Sequence, residues 1–546
     1  MNHSDKLHIQ YLVFVLKQLG LDNVVLSPGS RSAPLVQEFA CYPEIKKHVL
    51  FDERCAGYFA LGLAQQIRKP VAVFCTSGTA VLNLAPAICE AYHQKVPLII
   101  LTADRPAEAM GKGENQTINQ IDIYKNYIKA FYNLAEGEAL QQEQLIQTIV
   151  SSISLHFGPV HINLPLREPL YNTATESTFK IPIVEIPTSP TLSKDDKAEI
   201  SLTWKNAKRK MIICGMDHFQ AAKLSWLKLI QAQEDVIILH EPIANVAIPD
   251  TIYNIDGTLA SIKDIETYQP DVVITIGRQF TSKRLRNFIK ANTSVTHWHI
   301  SIENEQWDSF NHLQKVWNCT DSEFLKVIAA VKSESSDWKK QWLSTQPNTT
   351  AFDNATLTDS SVYQALAKAV PNESIIQWGN SAPIRYSGLI AFDSSIEHFA
   401  NRGTSGIDGC VSTAVGCAVA NPNKQVFLFL GDLSFFYDSN ALFYSPFPSN
   451  LKIVIVNNSG GNIFRLIEGQ KEETLMQNYF EVQHQHSAKA LAEQFSMHYF
   501  SCDKNEELEK TIERFFGYNN CCILELKTDA TSSVDTYKNY FKRQYT

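Results

Sequence analysis

An acidic residue and an amide residue each follow a strongly apolar run in the C-terminal third of the chain. Gly431-Asp432 ends the run QVFLFL, and Asn458 ends the run LKIVIV. The segment between them is long enough for a crossover between parallel strands, so we expect Asp432 and Asn458 side by side at the carboxyl edge of a sheet. Ligands bind at that edge, and carboxylate and amide oxygens suit a hard cation. The pair predicts a site for Mg²⁺ bridging phosphates.

Two glycines follow this asparagine, and they bear on the same site. Gly460 and Gly461 would let the backbone approach an ion or a phosphate closely, which makes the Gly460 carbonyl a third candidate metal ligand. The alternative is that Gly-Asp and Asn-Asn-Ser-Gly-Gly are ordinary turn residues after two strands. On these residues alone both interpretations stay open.

Glu53 is the candidate for proton transfer. It follows the run HVLF and opens a helix-like stretch, ERCAGYFALGLA, whose small residues favour close packing. Apolar surroundings would raise the pKa of its carboxyl, as proton-transfer chemistry requires. The commoner role of such a residue is a first-turn acid favoured by the helix dipole. Its presence in one chain with Asp432 and Asn458 favours the chemical role.

Strands and helices must position these residues, and strand-like runs alternate with helical stretches along most of the chain. This alternation indicates parallel sheets covered by helices. A Pro-rich stretch, Ile181 to Asp195, and a polar stretch, Ser333 to Ser361, interrupt it and are interpreted as linkers. The prediction is an α/β fold of three doubly wound parallel-sheet domains in series, with bounds 1–180, 196–331 and 362–546.

Composition excludes several classes of function. The net charge of −8 disfavours nucleic acid and anionic membranes as partners. The sequence has no apolar run of membrane-spanning length, we expect no signal peptide from its N-terminal stretch, and its 11 cysteines form no C-x-x-C pair, so we expect a cytoplasmic protein. The phosphate-loop, G-x-G-x-x-G and G-x-S-x-G motifs are absent from the sequence. These absences disfavour a nucleotide-binding scaffold and a serine hydrolase.

Longer motifs narrow the interpretation. They are SPGSRSAPL, FDERCAGYFALGLA, CTSGTAVLNLAPA, LTADRP, ENQTINQ, GPVHINLP, NRGTSGIDG and GDLS. Together they resemble the thiamine-diphosphate-dependent family of 2-succinyl-5-enolpyruvyl-6-hydroxy-3-cyclohexene-1-carboxylate synthases of menaquinone biosynthesis. The resemblance covers both terminal thirds well and the middle third through one motif, TSKRL. It implies pyrimidine-binding, central and diphosphate-binding domains, in a homodimer or homotetramer whose active sites are shared between subunits.

The resemblance implies a reaction and a cofactor site. The reaction is decarboxylation of 2-oxoglutarate and 1,4-addition of the acyl unit to isochorismate, with thiamine diphosphate and Mg²⁺ or Mn²⁺ as cofactors. Glu53 would be the catalytic residue, which sets the imino tautomer of the cofactor, and Asp432, Asn458 and Gly460 would bind the metal. The implied cofactor-binding residues are Ile407, Gly431, Asp432, Leu433, Ser434, Asn458, Gly460, Gly461 and Ile463. Ile407 would hold the cofactor bent.

The implied substrate site is rich in arginine. Both substrates carry two carboxylates, and arginine binds a carboxylate with two hydrogen bonds. The implied residues are Ser30, Arg31, Arg105, Gln116, Lys283, Arg284, Ser381, Arg385 and Arg402. The alternatives are capping or surface roles for the first two arginines, and a solvated helix face for Lys283 and Arg284.

Another thiamine-diphosphate carboligase or 2-oxo acid decarboxylase, such as an acetolactate synthase, is the competing interpretation. Such an enzyme shares the cofactor residues, but its small monocarboxylate substrates would not need this many arginines. Leu433 stands where many members of the broad superfamily have glycine, and the synthase family has leucine there. This departure favours the synthases.

Overall fold

The computed structural model describes residues 2–136, 141–217, 221–332, 334–347, 352, 356–467 and 472–543. Parts of the predicted second linker and of the predicted third domain, among them 348–351, 353–355, 468–471 and 544–546, lie outside these residues. Three large sheets with helices between their strands confirm the predicted α/β class. Within the described part of the chain, no helix is long and apolar enough to span a membrane.

The first sheet has six strands, and its described pairings are parallel. In spatial order the strands are Lys46–Val49, Asn23–Leu26, Val71–Cys75, Leu98–Asp104, Val160–Pro165 and Phe131–Asn133. Its α-helices are Leu7–Gln18, Ala33–Ala40, Glu53–Ile67, Thr79–Gln94 and Gln142–Ser151. A two-stranded antiparallel ribbon joins His3–Ser4 to Thr173–Ala174. Strands such as Val71–Cys75 are buried along their whole length, which explains why they are continuous apolar runs.

The second sheet has five parallel strands. In spatial order they are Val236–His240, Lys210–Cys214, Val272–Ile276, Thr296–Ile300 and Leu313–Trp317. Its α-helices are Lys194–Asn206, Ala221–Gln231, Ile255–Ser261, Ile265–Tyr268, Lys283–Lys290, Asp321–Ala329 and Trp338–Ser344. The last helix lies in the predicted second linker, where Trp338 and Trp342 are buried in the core of one face of the sheet. Part of that polar segment therefore belongs to the packed structure.

The third sheet has six strands. In spatial order they are Glu397–Ala400, Ile375–Trp378, Val426–Gly431, Leu451–Asn457, Cys522–Lys527 and His498–Cys502. Its α-helices are Asp359–Ala369, Pro383–Ser387, Cys410–Ala420, Asp432–Tyr437, Ile463–Leu466, Glu473–Leu475, Lys489–Gln494, Leu508–Phe516 and Ala530–Arg543, with one π turn at Met476–Phe480. Val426–Gly431 and Leu451–Asn457 are neighbours, which confirms the expected adjacency of the strands that precede Asp432 and Asn458.

Short 3₁₀ turns connect several of these elements. They are Ala107–Ala109, Lys125–Tyr127, Pro242–Ala244, Ser439–Phe443 and Asn505–Glu507. The connection from Asp432 to Leu451 is built from one short α-helix and one such turn rather than from a long crossover helix. Aromatic residues, among them the fully buried Phe435, anchor it instead.

The chain forms two compact units. The first unit comprises Met1–Thr188, Asn401–Val426 and Ser434–Leu451, and the second comprises Ser189–Ala400, Phe427–Leu433 and Lys452–Thr546. The first unit holds the first sheet together with the helix Cys410–Ala420. The second unit holds the second and third sheets. The three domain bounds proposed from the sequence stay a prediction.

Candidate active site

Three loops of the first unit leave the carboxyl ends of strands and carry predicted site residues. Ser30 and Arg31 follow Asn23–Leu26, Glu53 follows Lys46–Val49, and Arg105 follows Leu98–Asp104. The loops are close together, because a Cβ atom added at Gly29 would lie 2.4 Å from Thr76 Cβ in the loop after Val71–Cys75. Gln116 reaches the same edge, with its Cα atom 3.3 Å from a Cβ added at Gly78.

Arg31 is buried and Arg105 is half-buried. Arg31 is 3% exposed, and it donates to the Leu166 carbonyl at 2.9 Å and to Glu168 at 3.1 Å. The Nε atoms of both arginines are buried and have no hydrogen-bond partner in the described part of the chain. Burial raises the pKa of the neighbouring Asp104 to about 6. Buried guanidinium groups with unused donors suit the binding of an anionic ligand.

The backbone around Glu53 holds this residue at the start of the helix Glu53–Ile67. Asp52 caps the helix by accepting from the backbone N–H of Arg54 at 2.9 Å, and it also accepts from Asn440 Nδ2 at 2.8 Å. The Arg54 guanidinium lies 4.5 Å from the centre of the Tyr437 ring. Glu53 is half-buried, and burial, with the charge of Asp52, raises the pKa of its carboxyl. This direction agrees with the expectation from the sequence.

Two glycines set the packing of the Glu53 helix. A Cβ atom added at Gly62 would lie 2.0 Å from the carbonyl oxygen of Thr413, and one added at Gly416 would lie 2.1 Å from that of Phe59. The helices Glu53–Ile67 and Cys410–Ala420 therefore cross in backbone contact. Only glycine permits this approach, so the position of Glu53 depends on Gly62.

The segment 401–409 carries two further predicted residues. Ser434 Oγ donates to the carbonyl of Ile407 at 2.6 Å, so these two predicted cofactor-binding residues are joined directly. Arg402 is 9% exposed. The backbone N–H of the next residue, Gly403, donates to Glu90 Oε1 at 2.6 Å, which ties the loop to the helix Thr79–Gln94.

Asp432 lies at the centre of the predicted metal site. It is 2% exposed, its Oδ1 accepts from the backbone N–H of Leu433 at 2.7 Å, and its Oδ2 accepts from that of Gly460 at 3.0 Å. Burial raises the pKa of this carboxyl to about 7, and the backbone hydrogen bonds oppose the rise. His484 Nε2 lies 3.3 Å from Asp432 Oδ2. The structure thus brings Asp432 and the glycine loop together, as predicted.

Asn458 presents an oxygen atom without a partner. Its Nδ2 donates to Asp359 Oδ2 at 3.3 Å, whereas its Oδ1 is buried and has no hydrogen-bond partner among the described residues. A buried amide oxygen of this kind costs free energy unless a ligand uses it. This is the observation expected of a metal ligand.

The glycines of the site have different roles. Gly460 has φ +148°, and a Cβ atom there would lie 2.5 Å from the carbonyl oxygen of Glu481, which also accepts from the backbone N–H of Gly461 at 2.6 Å. Gly431 faces open space, since a Cβ atom there would meet nothing within 4 Å. This open space lies directly beside Asp432.

The donor set fits a cation that is bound together with a diphosphate. Among the described residues there is no group of three or more His, Cys, Asp or Glu side chains able to hold a metal. Asp432 is one carboxylate, and the other predicted ligands, Asn458 Oδ1 and the Gly460 carbonyl, are neutral oxygens. Mg²⁺ is typically held in this way, by one or two carboxylates and substrate phosphates.

The remaining predicted substrate residues lie in the second unit. Arg385 donates to the carbonyl of Ser381, a residue with φ +77°. A small cavity is lined by Arg385 and by Ser282, the N-cap of the helix Lys283–Lys290. The ends of the TSKRL motif and of the GNSAPIR motif therefore meet at one cavity.

Lys283 and Arg284 are exposed, and the Arg284 guanidinium lies 4.6 Å from the centre of the Phe541 ring. Ile463 is half-buried at the start of the helix Ile463–Leu466. The positions of these three residues do not by themselves indicate which ligand they bind.

The sequence did not predict three residues that contact the candidate site residues. Asp359 contacts Asn458, His484 contacts Asp432, and Glu90 holds the loop of Arg402. Asp359 lies inside a Thr-x-x-Ser capping box, in the first turn of its helix, where an acid is common without any site. Glu90 and His484 stand in stretches that carry no recognisable motif.

Three family models match the chain. The model described as "Thiamine pyrophosphate enzyme, N-terminal TPP binding domain" matches residues 9–123, and "Middle domain of thiamine pyrophosphate" matches residues 201–376. The model "Thiamine pyrophosphate enzyme, C-terminal TPP binding domain" matches residues 390–526. The first match includes Glu53 and the third includes Asp432 and Asn458. The chain therefore has both thiamine diphosphate-binding domains.

Full-length relatives decide the family. A Flavobacterium johnsoniae protein named 2-succinyl-5-enolpyruvyl-6-hydroxy-3-cyclohexene-1-carboxylate synthase is 36% identical to this chain, and the comparison covers 98% of each chain. A protein of the same name from Bacteroides thetaiotaomicron is 35% identical to this chain, with 99% of each chain covered. The chain belongs to this synthase family. A synthase of Desulfotalea psychrophila is 34% identical over 96% of the chain and 99% of that relative. The similarity to the synthase family includes the central domain, for which the sequence motifs supplied only TSKRL.

Proposed function

We propose that the chain catalyses the thiamine-diphosphate-dependent decarboxylation of 2-oxoglutarate and the 1,4-addition of the resulting four-carbon acyl unit to isochorismate. The product is 2-succinyl-5-enolpyruvyl-6-hydroxy-3-cyclohexene-1-carboxylate, an intermediate of menaquinone biosynthesis. The main support for this proposal is the similarity to synthases over 98% to 99% of the chain. The reaction makes the chain a transferase that forms a carbon–carbon bond.

Bound thiamine diphosphate supplies a carbon atom that can accept and release an acyl group. We propose that Asp432, Asn458 Oδ1 and the Gly460 carbonyl bind Mg²⁺ or Mn²⁺ with the diphosphate of this cofactor, beside the open space at Gly431. The Glu53 carboxyl would hold a proton at the aminopyrimidine ring. Its raised pKa, which burial causes, favours the protonated form that this hydrogen bond needs.

The arginines would bind the substrate carboxylates. The buried Arg31 and the half-buried Arg105 each have a buried, unused Nε donor in the first unit, and Arg385 lines the cavity in the second unit. A bound carboxylate would use those donors and offset the cost of burying the guanidinium groups. Ser30, Gln116, Ser381, Lys283, Arg284 and Arg402 are proposed to complete this substrate site.

We further propose a homo-oligomer in which two subunits complete each active site. Large apolar side chains beside Glu53 are exposed, with Val49 at 57%, Phe51 at 53% and Phe443 at 53%. Near the metal loop, Tyr479 is 74% exposed and Val482 is 63% exposed. Apolar surface next to predicted catalytic groups is suited to a subunit interface. The expected cytoplasmic location stays part of this proposal.

The test is an assay with purified protein, thiamine diphosphate, Mg²⁺, 2-oxoglutarate and isochorismate, in which the isochorismate absorbance is followed. Absorbance should fall only when every component is present. Carbon dioxide release from pyruvate without isochorismate loss would contradict the proposal and place the chain with the acetolactate synthases or decarboxylases.

A further inference from the structure

Asp359 is a buried carboxylate to which the proposed chemistry assigns no role. It begins the helix Asp359–Ala369 and is 1% exposed. Its Oδ1 accepts from the Thr528 hydroxyl at 2.6 Å and from the Ser533 hydroxyl at 3.2 Å, and Ser533 Oγ accepts from its backbone N–H at 3.0 Å. Its Oδ2 accepts from Asn458 Nδ2 at 3.3 Å. Contacts from two directions thus hold the carboxylate in place.

The contact decides which way the Asn458 amide points. An amide carries one donor group and one acceptor oxygen, and its neighbours determine their orientation. A carboxylate only accepts, and the Asp359 oxygens accept from the hydroxyls of Thr528 and Ser533, so its contact with Asn458 is made to the Nδ2 group. The Asn458 Oδ1 atom is then turned away from Asp359, where it is buried and without a hydrogen-bond partner among the described residues.

We propose that Asp359 is a positioning residue that orients the Asn458 amide oxygen toward the metal. The inference rests on the proposed function, because it takes Asn458 as a metal ligand. A buried carboxylate without a nearby positive charge is costly, and a cation bound beside it offsets that cost. The hydroxyl groups of Thr528 and Ser533 transmit the position of Asp359 from the C-terminal segment to the metal loop.

The experiment measures the Kd for MgCl₂ by calorimetry, with thiamine diphosphate in excess, in four proteins: wild type, Asp359→Asn, Asn458→Asp and the double variant. Loss of a group that orients a metal ligand costs about 10- to 100-fold in metal affinity, so Asp359→Asn should raise the Kd by this factor. Asn458→Asp places two carboxylates in contact and should also weaken binding.

The double variant separates orientation from simple loss of charge. It exchanges the two groups, so that an amide at position 359 donates to a carboxylate at position 458. Both atoms of that carboxylate are oxygens, so one of them faces the metal in either orientation. Its Kd should return to within about tenfold of the wild-type value, as coupled neighbours do in a double-mutant cycle. A double variant no better than the single variants would overturn the proposal.

Asp438→Asn is the matched control, since Asp438 is fully buried in the first unit and accepts from the Ser412 hydroxyl at 2.9 Å. It should leave the Mg²⁺ Kd unchanged. If Asp359→Asn does not fold by circular dichroism, Thr528→Val tests the same network and should raise the Kd several-fold. A wild-type protein that binds neither cofactor nor Mg²⁺ refutes the proposed function itself. An unchanged Kd in Asp359→Asn, with normal wild-type binding, refutes only the positioning role.

Discussion

Replacing Glu90 by glutamine should disturb the loop that carries Arg402. Glu90 is 1% exposed, and its two oxygens accept from the backbone N–H groups of Gly403 and Thr404 and from the Thr404 hydroxyl, each at 2.6 Å. Oε1 also accepts from Gln94 Nε2 at 2.5 Å. Each carboxylate oxygen therefore receives two hydrogen bonds, one of them from a backbone N–H group that is fixed in direction.

The magnitude follows from the number of bonds lost. In Glu90→Gln, one oxygen becomes an NH₂ group that faces two donors, so two hydrogen bonds to a charged acceptor disappear. Such bonds contribute about 1.5–3 kcal/mol each, which gives an upper limit of about 3–6 kcal/mol if the loop stays in place. The loop can avoid much of this cost by moving, and Arg402 then moves with it.

Two measurements distinguish these responses. The urea midpoint of unfolding reports the lost hydrogen bonds, and steady-state kinetics report the displaced arginine as a higher KM for one substrate. The control is Glu108→Gln, because Glu108 pairs with Arg167 on the surface, with both side chains about half exposed (52% and 48%). Glu90→Gln with a wild-type midpoint and wild-type KM values would refute the reasoning.

Three further predictions concern the cofactor site and a buried acid. Glu53→Gln should bind thiamine diphosphate normally, by tryptophan fluorescence, yet lose about 100- to 10,000-fold in kcat; retained turnover would contradict its proton-transfer role. Gly460→Ala should lower Tm, because its Cβ would lie 2.5 Å from the Glu481 carbonyl oxygen, whereas Gly431→Ala should keep Tm but weaken cofactor binding measured by calorimetry. Burial raises the pKa of Asp438 from 3.8 to about 6, so the folded protein keeps a proton there that the unfolded chain has lost. Wild-type stability should therefore fall relative to Asp438→Asn as the pH rises from 4 to 7, by at most about 3 kcal/mol, and a constant difference between the two urea midpoints across that range would contradict this.

Much of the fold was predictable because its strands are buried on both faces. VAVFC is apolar at every position and KMIIC is apolar after its lysine, and these runs form the fully buried strands Val71–Cys75 and Lys210–Cys214. Short or half-exposed strands were missed, among them Phe131–Asn133 and Leu313–Trp317. Their side chains are only partly buried, so their sequences carry no continuous apolar signal.

Some residues of the candidate site could likewise be predicted from the sequence, and others could not. Asp432 and Asn458 could be placed from the sequence because each directly follows a strand, and neighbouring strands bring their carboxyl ends together. Asp359 could not be placed, because its contact with Asn458 joins residues far apart in the chain through a buried hydrogen bond. Nothing local marks a carboxylate that will accept from a distant amide.

The sequence by itself determined the α/β class, the main strands along the chain, the synthase family and the residues that follow each strand end. These features depend on local apolar patterns and on short motifs, and both can be read without knowing which distant segments meet. Only the tertiary structure decided that Gly62 lies against the Thr413 carbonyl and that Glu90 holds the loop of Arg402. It also left Asn458 Oδ1 buried without a partner in the described part of the chain. Burial and pairing of polar groups depend on which distant segments meet, and that is a property of the packed chain.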